Sequence, residues 1–272
     1  MSTKMSLKYK LMAFFLSMSL IPLFILGAMA YNLSSRGIRN EVTKAGNISL
    51  HLIEKELDTF FFDKEHDAKL LSSVRDVYYS LSILRDIGYD RDNPKWLERL
   101  FYLDSLASNL KAQQDIDFFF ITTTSGDVVY STHSELLDAN VSGRDYIKGA
   151  LNGKPIWSPF FLSDLIGENC LVVSSPVRDN GAFGEIIGTL NLVLTGHQLD
   201  SMVQGIGKVL GKTGNSYLID SNGLLLTNTA EGKFSQNAAL IESINSEAVR
   251  HLSSHIISGE MGFSAIEEYR DY

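Results

Sequence analysis

The spacing of hydrophobic positions changes along this chain, and each change marks an element. From Leu11 to Ser35 no charged residue occurs, and Leu11–Tyr31 is almost wholly apolar. About 20 such residues cross a bilayer as a helix, and membrane helices accept a proline such as Pro22. Beyond this run the apolar residues thin to a single stripe. Ile38, Val42, Ala45 and Leu52 step by 4, 3 and 7; Leu70, Val74, Val77, Leu81 and Leu84 step by 4, 3, 4 and 3. That spacing predicts one long helix, interrupted only by Gly46 and stopping near Gly88. It packs on a domain, pairs with a second copy of itself, or does both. Asn93-Pro94 opens a further helix, with Asn as N-cap and Pro in the first turn, carrying Trp96, Leu100, Leu103 and Leu110.

From residue 117 the pattern becomes β-like. "DFFFITTTSGDVVYST" is two β-rich runs around a Ser125-Gly126-Asp127 turn, which predicts a hairpin. A short helix around Arg144–Leu151 is stopped by Gly153. Three more strands are expected at Ile156–Leu162, Cys170–Val177 and Glu185–Leu194, separated by turn-formers at Asp164–Asn169 and Asp179-Asn180-Gly181. Five strands with short links indicate an antiparallel α+β sheet. The hairpin then repeats: "FFITTTSGDVVYST" matches "SYLIDSNGLLLTNT", with Gly126 and Gly223 97 positions apart and Phe120 and Tyr217 each six before the glycine. A second β module is therefore expected from about residue 215. A helical patch at Ile241–Ile257 and a strand at Gly262–Glu267 follow. That module is expected to be incomplete at Tyr272, as part of a longer protein.

"GIGKVLGKTG" at 205–214 imitates a phosphate loop but lacks its first glycine, since position 206 is Ile206. A phosphate loop also runs from strand to helix, whereas here a helix-like Gln198–Val209 precedes and the β-rich Ser216–Ile219 follows. Gly211 and Gly214 supply turn geometry in a connector.

Composition narrows the classes. The 272 residues carry a net charge of −8 and are 44% apolar, enough for one large or two small domains with a proper core. The acidic balance, without a basic cluster interleaved with aromatics, argues against nucleic acid as a partner. Cys170 stands alone, so no internal disulfide forms. His251 and His255 lie i, i+4 on the expected late helix, but no glutamate stands between them and no third ligand is evident, so they read as solvated and no metal site is assigned. Ser253 and Ser254 beside them do not complete a triad. Asp63, Glu65 and Asp67 form a wet helix face with Lys64 and Lys69. A cleaved signal peptide, with Lys4, Lys8 and Lys10 ahead of the run and Ala28-Met29-Ala30 as its cleavage site, remains an alternative to a membrane anchor. The length of the apolar run favours the anchor. Arg36, Arg39 and Lys44 follow it closely, so the basic residues do not fix its orientation.

Several stretches taken together carry a resemblance: the anchor with "SLIPLFILG", the long helix, "GRDYIKGALNGK", the "SSPV…IIGTL" strand pair, and "LGKTGNSYLIDSNG" at the second module. Over roughly 10–272 the chain resembles the double Cache family, extracytoplasmic sensory domains of bacterial chemoreceptors, sensor histidine kinases and diguanylate cyclases. The resemblance implies a cytoplasmic tail at 1–10, a transmembrane helix at 11–31 and a long helical region at 32–112. A membrane-distal PAS-like module at 113–210 and a membrane-proximal one at 211–272 would follow. It further implies an N-in topology in the inner membrane, a return span and a cytoplasmic output beyond residue 272, a homodimer through the long helix, and a small ligand in the distal module, without a cofactor.

Relatives that bind amino acids use an Arg-x-Trp-[Tyr/Phe] cluster, a Tyr-x-Asp strand and a late aspartate. Here Arg144 is retained and Tyr146 takes the tryptophan position; Phe161 and Ser163-Asp164 approximate the strand; Asn191 is the nearest polar residue to the late aspartate. Recognition of an amino group is thereby weakened, and an organic acid fits better: Arg144 offers a planar fork for a carboxylate, with Tyr146, Trp157 and Phe160 as walls. The bland alternative for Arg144 is an ion pair with Asp138 or Asp145. An anchored extracytoplasmic hydrolase and a structural envelope protein are the rival classes. The first needs a nucleophile–base pair that cannot be named, the second a filled pocket at Arg144.

Two outcomes follow. The full chain should resist carbonate extraction from membranes; recovery of a soluble protein beginning at Tyr31 would establish cleavage instead. Lys212→Ala should leave folding unchanged and ATP should not shift the melting temperature, whereas an ATP shift abolished by Lys212→Ala would restore the phosphate loop.

Overall fold

A computed structural model of the chain describes residues 7–113, 116, 118–207, 216–229 and 232–244. The chain divides into two units, Met1–Leu50 and His51–Tyr272. Helix α1 is Leu7–Ser72, with Pro22 inside it. In the first unit the large side chains of the apolar run lie exposed. Ser17 and Ser19 donate their hydroxyls to the carbonyls of Phe14 and Leu16, so these polar groups are satisfied within the helix. With a mean hydropathy of 2.0 in its most apolar window, the helix is long and apolar enough to cross a membrane. Ile38 and Val42 stay 62% and 64% exposed.

In the second unit the expected single helix is broken. α1 ends at Ser72, Val74 is extended with ψ 138°, and α2 runs Arg75–Asp86. The cause is local: Ser72 and Ser73 turn their hydroxyls back onto the carbonyls of Lys69 and Leu70, a competition with the helix ladder that serine favours. The break resets the helical phase, so Leu70 points to solvent and Ala68 and Leu71 go inside instead. α3 runs Pro94–Gln113, and Asn93 caps it as expected, accepting the Lys95 N–H at 3.1 Å.

The sheet comprises β1 (Phe118–Thr123), β2 (Val128–Ser131), β3 (Ile156–Trp157), β4 (Phe161–Leu162), β5 (Asn169–Asn180) and β6 (Phe183–Thr195). All pairings are antiparallel, in the order β2-β1-β6-β5-β3, with β4 also on β5. The α+β expectation holds. The strand expected at Ile156–Leu162 is instead two short ones, because Pro159 has no N–H to give the ladder. Alternation assigns the faces. Phe119, Ile121, Val173, Leu190 and Leu192 meet Val77, Leu81, Leu84, Trp96 and Leu103 of α2 and α3. Phe118, Phe120, Val172 and Val193 face the other way, against α4 (Asp145–Ala150), which contributes Tyr146 and Ile147. α5 (Gly196–Gly207) leaves the end of β6.

The repeated hairpin is repeated bond for bond at its turn. Thr123 Oγ1 accepts the N–H groups of Ser125 and Asp127, and Gly126 N donates to the Thr123 carbonyl. Ninety-seven positions on, Asp220 Oδ1 accepts the N–H groups of Asn222 and Leu224, and Gly223 N donates to the Asp220 carbonyl. Both glycines take positive φ, +83° and +82°, a region costly for any residue with a Cβ. Asp127 bridges to Asn140, and Leu224 likewise to Ser243. Ser243 therefore belongs to a β-bridge and not to a helix starting at Ile241. The connector residues 208–215, the remainder of that patch with His251, Ser253, Ser254 and His255, and the strand at Gly262–Glu267 lie outside the described residues.

Close approach of α2 to the sheet depends on Gly188, where a Cβ would collide with the Thr122 carbonyl oxygen and with Leu81 Cδ2. Gly188→Ala should destabilise by about 2 kcal/mol through overpacking, read as a lower urea midpoint at unchanged slope; an unchanged midpoint would show that α2 can shift without cost.

Candidate ligand site

Arg144 is the N-cap residue of α4, extended at φ −78°, ψ 133°. This places its side chain beside the helix start, not along the helix. The guanidinium stands 5.3 Å from the centre of the Phe161 ring, which in turn stacks on Tyr146 at 6.3 Å. The carboxylates foreseen as structural partners are engaged elsewhere: Asp138 with Arg91, and Asp145 with Lys148 at 3.6 Å. Among the described residues no carboxylate pairs with Arg144.

Arg144, Tyr146 and Ser163 meet at a cavity of about 20 Å³ floored by Phe118, Phe120, Val172 and Val193 and closed by Phe161, Leu165, Ile166 and Cys170. Neither the Tyr146 hydroxyl nor the Ser163 hydroxyl has a hydrogen-bond partner among the described residues; both residues are largely buried, but both hydroxyl oxygens keep access to solvent. Burial pushes the Tyr146 phenol up to about 12 against the opposing pull of Arg144, and burial raises the Cys170 thiol likewise to about 12. At neutral pH the site thus presents a fixed cation and neutral donors in an apolar setting, where each is electrostatically stronger than in water.

The six residues singled out from the sequence are not all brought together. Arg144 and Tyr146 share the cavity. Trp157 does not: it pairs with Val173, faces the other side of the sheet, and lies edge-on to Phe61 of α1 at 5.0 Å. Phe160 also belongs to that side, packed with Leu171, Leu194 and Leu199. Its neighbour Phe161 faces Arg144 instead, since consecutive extended residues point to opposite faces. Asp164 is exposed, and Ser163 takes the inward position. Asn191 lies on the correct face but spends its amide within the sheet: Oδ1 accepts the Ser174 hydroxyl at 2.6 Å, and Nδ2 donates to Thr189 Oγ1 at 3.0 Å and to the Phe120 carbonyl at 3.3 Å. Thr122 completes this network through Thr189 at 2.7 Å. Phe161 and Ser163 were legible only as an imperfect Tyr-x-Asp; their alternation after Pro159 is the signal that marks them as one face.

Two larger concavities each hold a paired polar couple. One, of about 310 Å³ beside α3, holds Tyr130 donating to Asp104 at 2.9 Å. The other, of about 460 Å³, is lined by Asp200 and Asn228, and both Asp200 oxygens accept from Asn228.

No curated protein matches the chain. Solved structures do, at the level of fold. The sensor domain of the V. cholerae histidine kinase DctB superposes with a TM-score of 0.53 at 13% identity, covering 76% of this chain and 71% of that one. The ligand-binding domain of the Campylobacter jejuni chemoreceptor Tlp3, in complex with 4-methylisoleucine, gives 0.53 at 17% identity over 80% and 78%. The extracellular domain of the putative histidine kinase vpHK1S-Z8 gives 0.52 at 16% identity over 70% and 68%. These neighbours are sensory or ligand-binding domains. The family model for the Cache domain matches residues 34–269, and with that span, the antiparallel sheet and the long N-terminal helix, the chain belongs to the Cache domain family.

Proposed function

We propose that this chain is the extracytoplasmic sensing part of a bacterial transmembrane receptor, anchored by Leu11–Tyr31, and that it binds a small carboxylate at Arg144. The observation that carries the reading is the set of unpartnered donors at one cavity: the guanidinium of Arg144 and the hydroxyls of Tyr146 and Ser163. These donors line the cavity with no acceptor opposite them among the described residues, and a carboxylate, which only accepts, can engage all three at once. The guanidinium fork would take both oxygens, with the Tyr146 hydroxyl as a further donor. Phe161, now under the guanidinium, becomes the wall beside the bound group. Dimerisation through the exposed Ile38–Val42 stripe, and transmission of the bound state along α1 to a chemotaxis, kinase or cyclase output, complete the proposal.

An amino acid is the second reading, because the Tlp3 domain binds 4-methylisoleucine. It is less well supported. Among the described residues no aspartate or glutamate lines the cavity to hold an ammonium group.

In a thermal-shift screen of acetate, butyrate, benzoate, succinate and L-leucine, at least one carboxylate should stabilise the full chain. Arg144→Ala should remove that shift without unfolding the protein, a loss on the order of 3 kcal/mol or about a hundredfold in affinity. Arg144→Lys should restore little, since a point charge lacks the planar fork, and Tyr146→Phe should cost about 1 kcal/mol. A shift undiminished in Arg144→Ala would sink the assignment. Affinity should also stay flat between about pH 6 and 9, because burial keeps the proton on Tyr146 up to about 12 and a carboxylate ligand is ionised throughout that range. A titration within that range would show that another group anchors the ligand.

A further inference from the structure

Resting on Arg144 as the carboxylate anchor, we infer that the ligand is a monocarboxylate with an apolar body and no amino group, an aliphatic or aryl-alkyl acid. Its body takes the volume that Leu165 and Ile166 now fill. The charge balance of the wall carries the first half. Arg144 is the one charged residue lining the cavity among those described, and beyond Tyr146, Ser163 and Cys170 the lining is hydrocarbon. The nearest acidic side chains in sequence turn outward: Asp145 is 97% exposed beside Lys148, and Asp164 and Glu168 are exposed on the loop. An α-ammonium would be desolvated with no anion to meet it, and a second carboxylate would find no second cation. Either leaves a buried unpaired charge, a far larger penalty than a missing neutral contact.

Space carries the second half. About 20 Å³ holds little more than one water, so an apolar ligand must displace something. The floor is made of β1, β5 and β6, whose ladders would have to break before it could recede. The loop between β4 and β5 is held differently. Its closing bonds are Ser163 N to the Glu168 carbonyl at 2.9 Å and Gly167 N to the Ser163 carbonyl at 2.8 Å, and Gly167 turns it with φ +68°. Leu165 and Ile166, half-buried on this loop, reach into the cavity and cover Phe161 and Tyr146. An outward swing of residues 164–168 exchanges their hydrocarbon for that of the ligand, so the apolar contact on the floor is kept while the carboxylate gains its donors. Ser163 stays at the hinge with its hydroxyl inward.

Four probes of equal chain length separate the charges: hexanoate, L-norleucine, adipate and hexan-1-ol, titrated calorimetrically into the full chain in nanodiscs, with acetate as the short reference. Hexanoate should bind about tenfold or more tightly than L-norleucine and adipate, a conservative figure for one unpaired buried charge, and hexan-1-ol should not bind. Arg144→Ala should abolish hexanoate binding. Leu165→Ala, which removes a side chain that the ligand must displace, should raise hexanoate affinity severalfold and leave acetate unchanged. Should L-norleucine or adipate equal hexanoate in the native chain but fail in Arg144→Ala, the apolar monocarboxylate is overturned while the carboxylate anchor stands. Hexanoate binding that persists in Arg144→Ala, or no binding by any of the five probes, overturns the anchor and the inference with it. Unchanged hexanoate affinity in Leu165→Ala overturns the exchange at the loop.

Discussion

The antiparallel pairing of β5 with β6, from Cys170 against Thr195 to Asn180 against Phe183, is the constraint on which the rest of the domain hangs. The register runs unbroken where Cys170–Val177 meets Gly188–Thr195, and there every residue is assigned a face. Leu190, Leu192 and Val173 go to the side that α2 and α3 cover with matching aliphatic surface. Ser174, Asn191, Val172 and Val193 go to the other, which a helix of six residues covers. So short a helix leaves part of the face to loops, and a face roofed by loops is where a small molecule can be admitted.

That loop-covered face treats its polar residues in two opposite ways. Thr122, Ser174, Thr189 and Asn191 are fully buried and bonded to one another, which holds the centre of the sheet to a single side-chain arrangement. Arg144, Tyr146 and Ser163, a few residues away, have no such partners. A fold that satisfies one group so completely leaves the others free to meet a ligand. Trp157, on the opposite face, contributes instead to holding α1 against the sheet through Phe61.

Much of this was legible in the sequence. The apolar run, the Asn93-Pro94 helix start, the two hairpins and the antiparallel sheet all follow from period, caps and turn chemistry, whereas Arg144 and Tyr146 came from the resemblance to the Cache pattern. What escaped it has physical reasons. The Ser72-Ser73 break rests on hydroxyl-to-carbonyl bonds and on the Ser72–Ser175 contact at 3.0 Å, which joins positions 103 apart and is invisible to a helical periodicity. The misplaced walls, Trp157 and Phe160, come from one offset. "IWSPFF" offers two candidates at each step; a shift of one residue inverts the face, and composition cannot choose between Phe160 and Phe161. Asn191 was singled out as the polar residue nearest the family's late aspartate, but its bonding to Ser174 depends on the register between two strands.

The matched turns at Gly126 and Gly223 separate what such a turn must keep from what it can change. The same backbone bonds are closed by a hydroxyl in one copy and by a carboxylate in the other. What the turn demands is an acceptor oxygen at a given reach and a glycine three residues later; the chemical family of the side chain is free to drift. Each turn carries one carboxylate, Asp127 after the glycine in the first and Asp220 before it in the second, so the same backbone path presents its negative charge on opposite sides of the glycine.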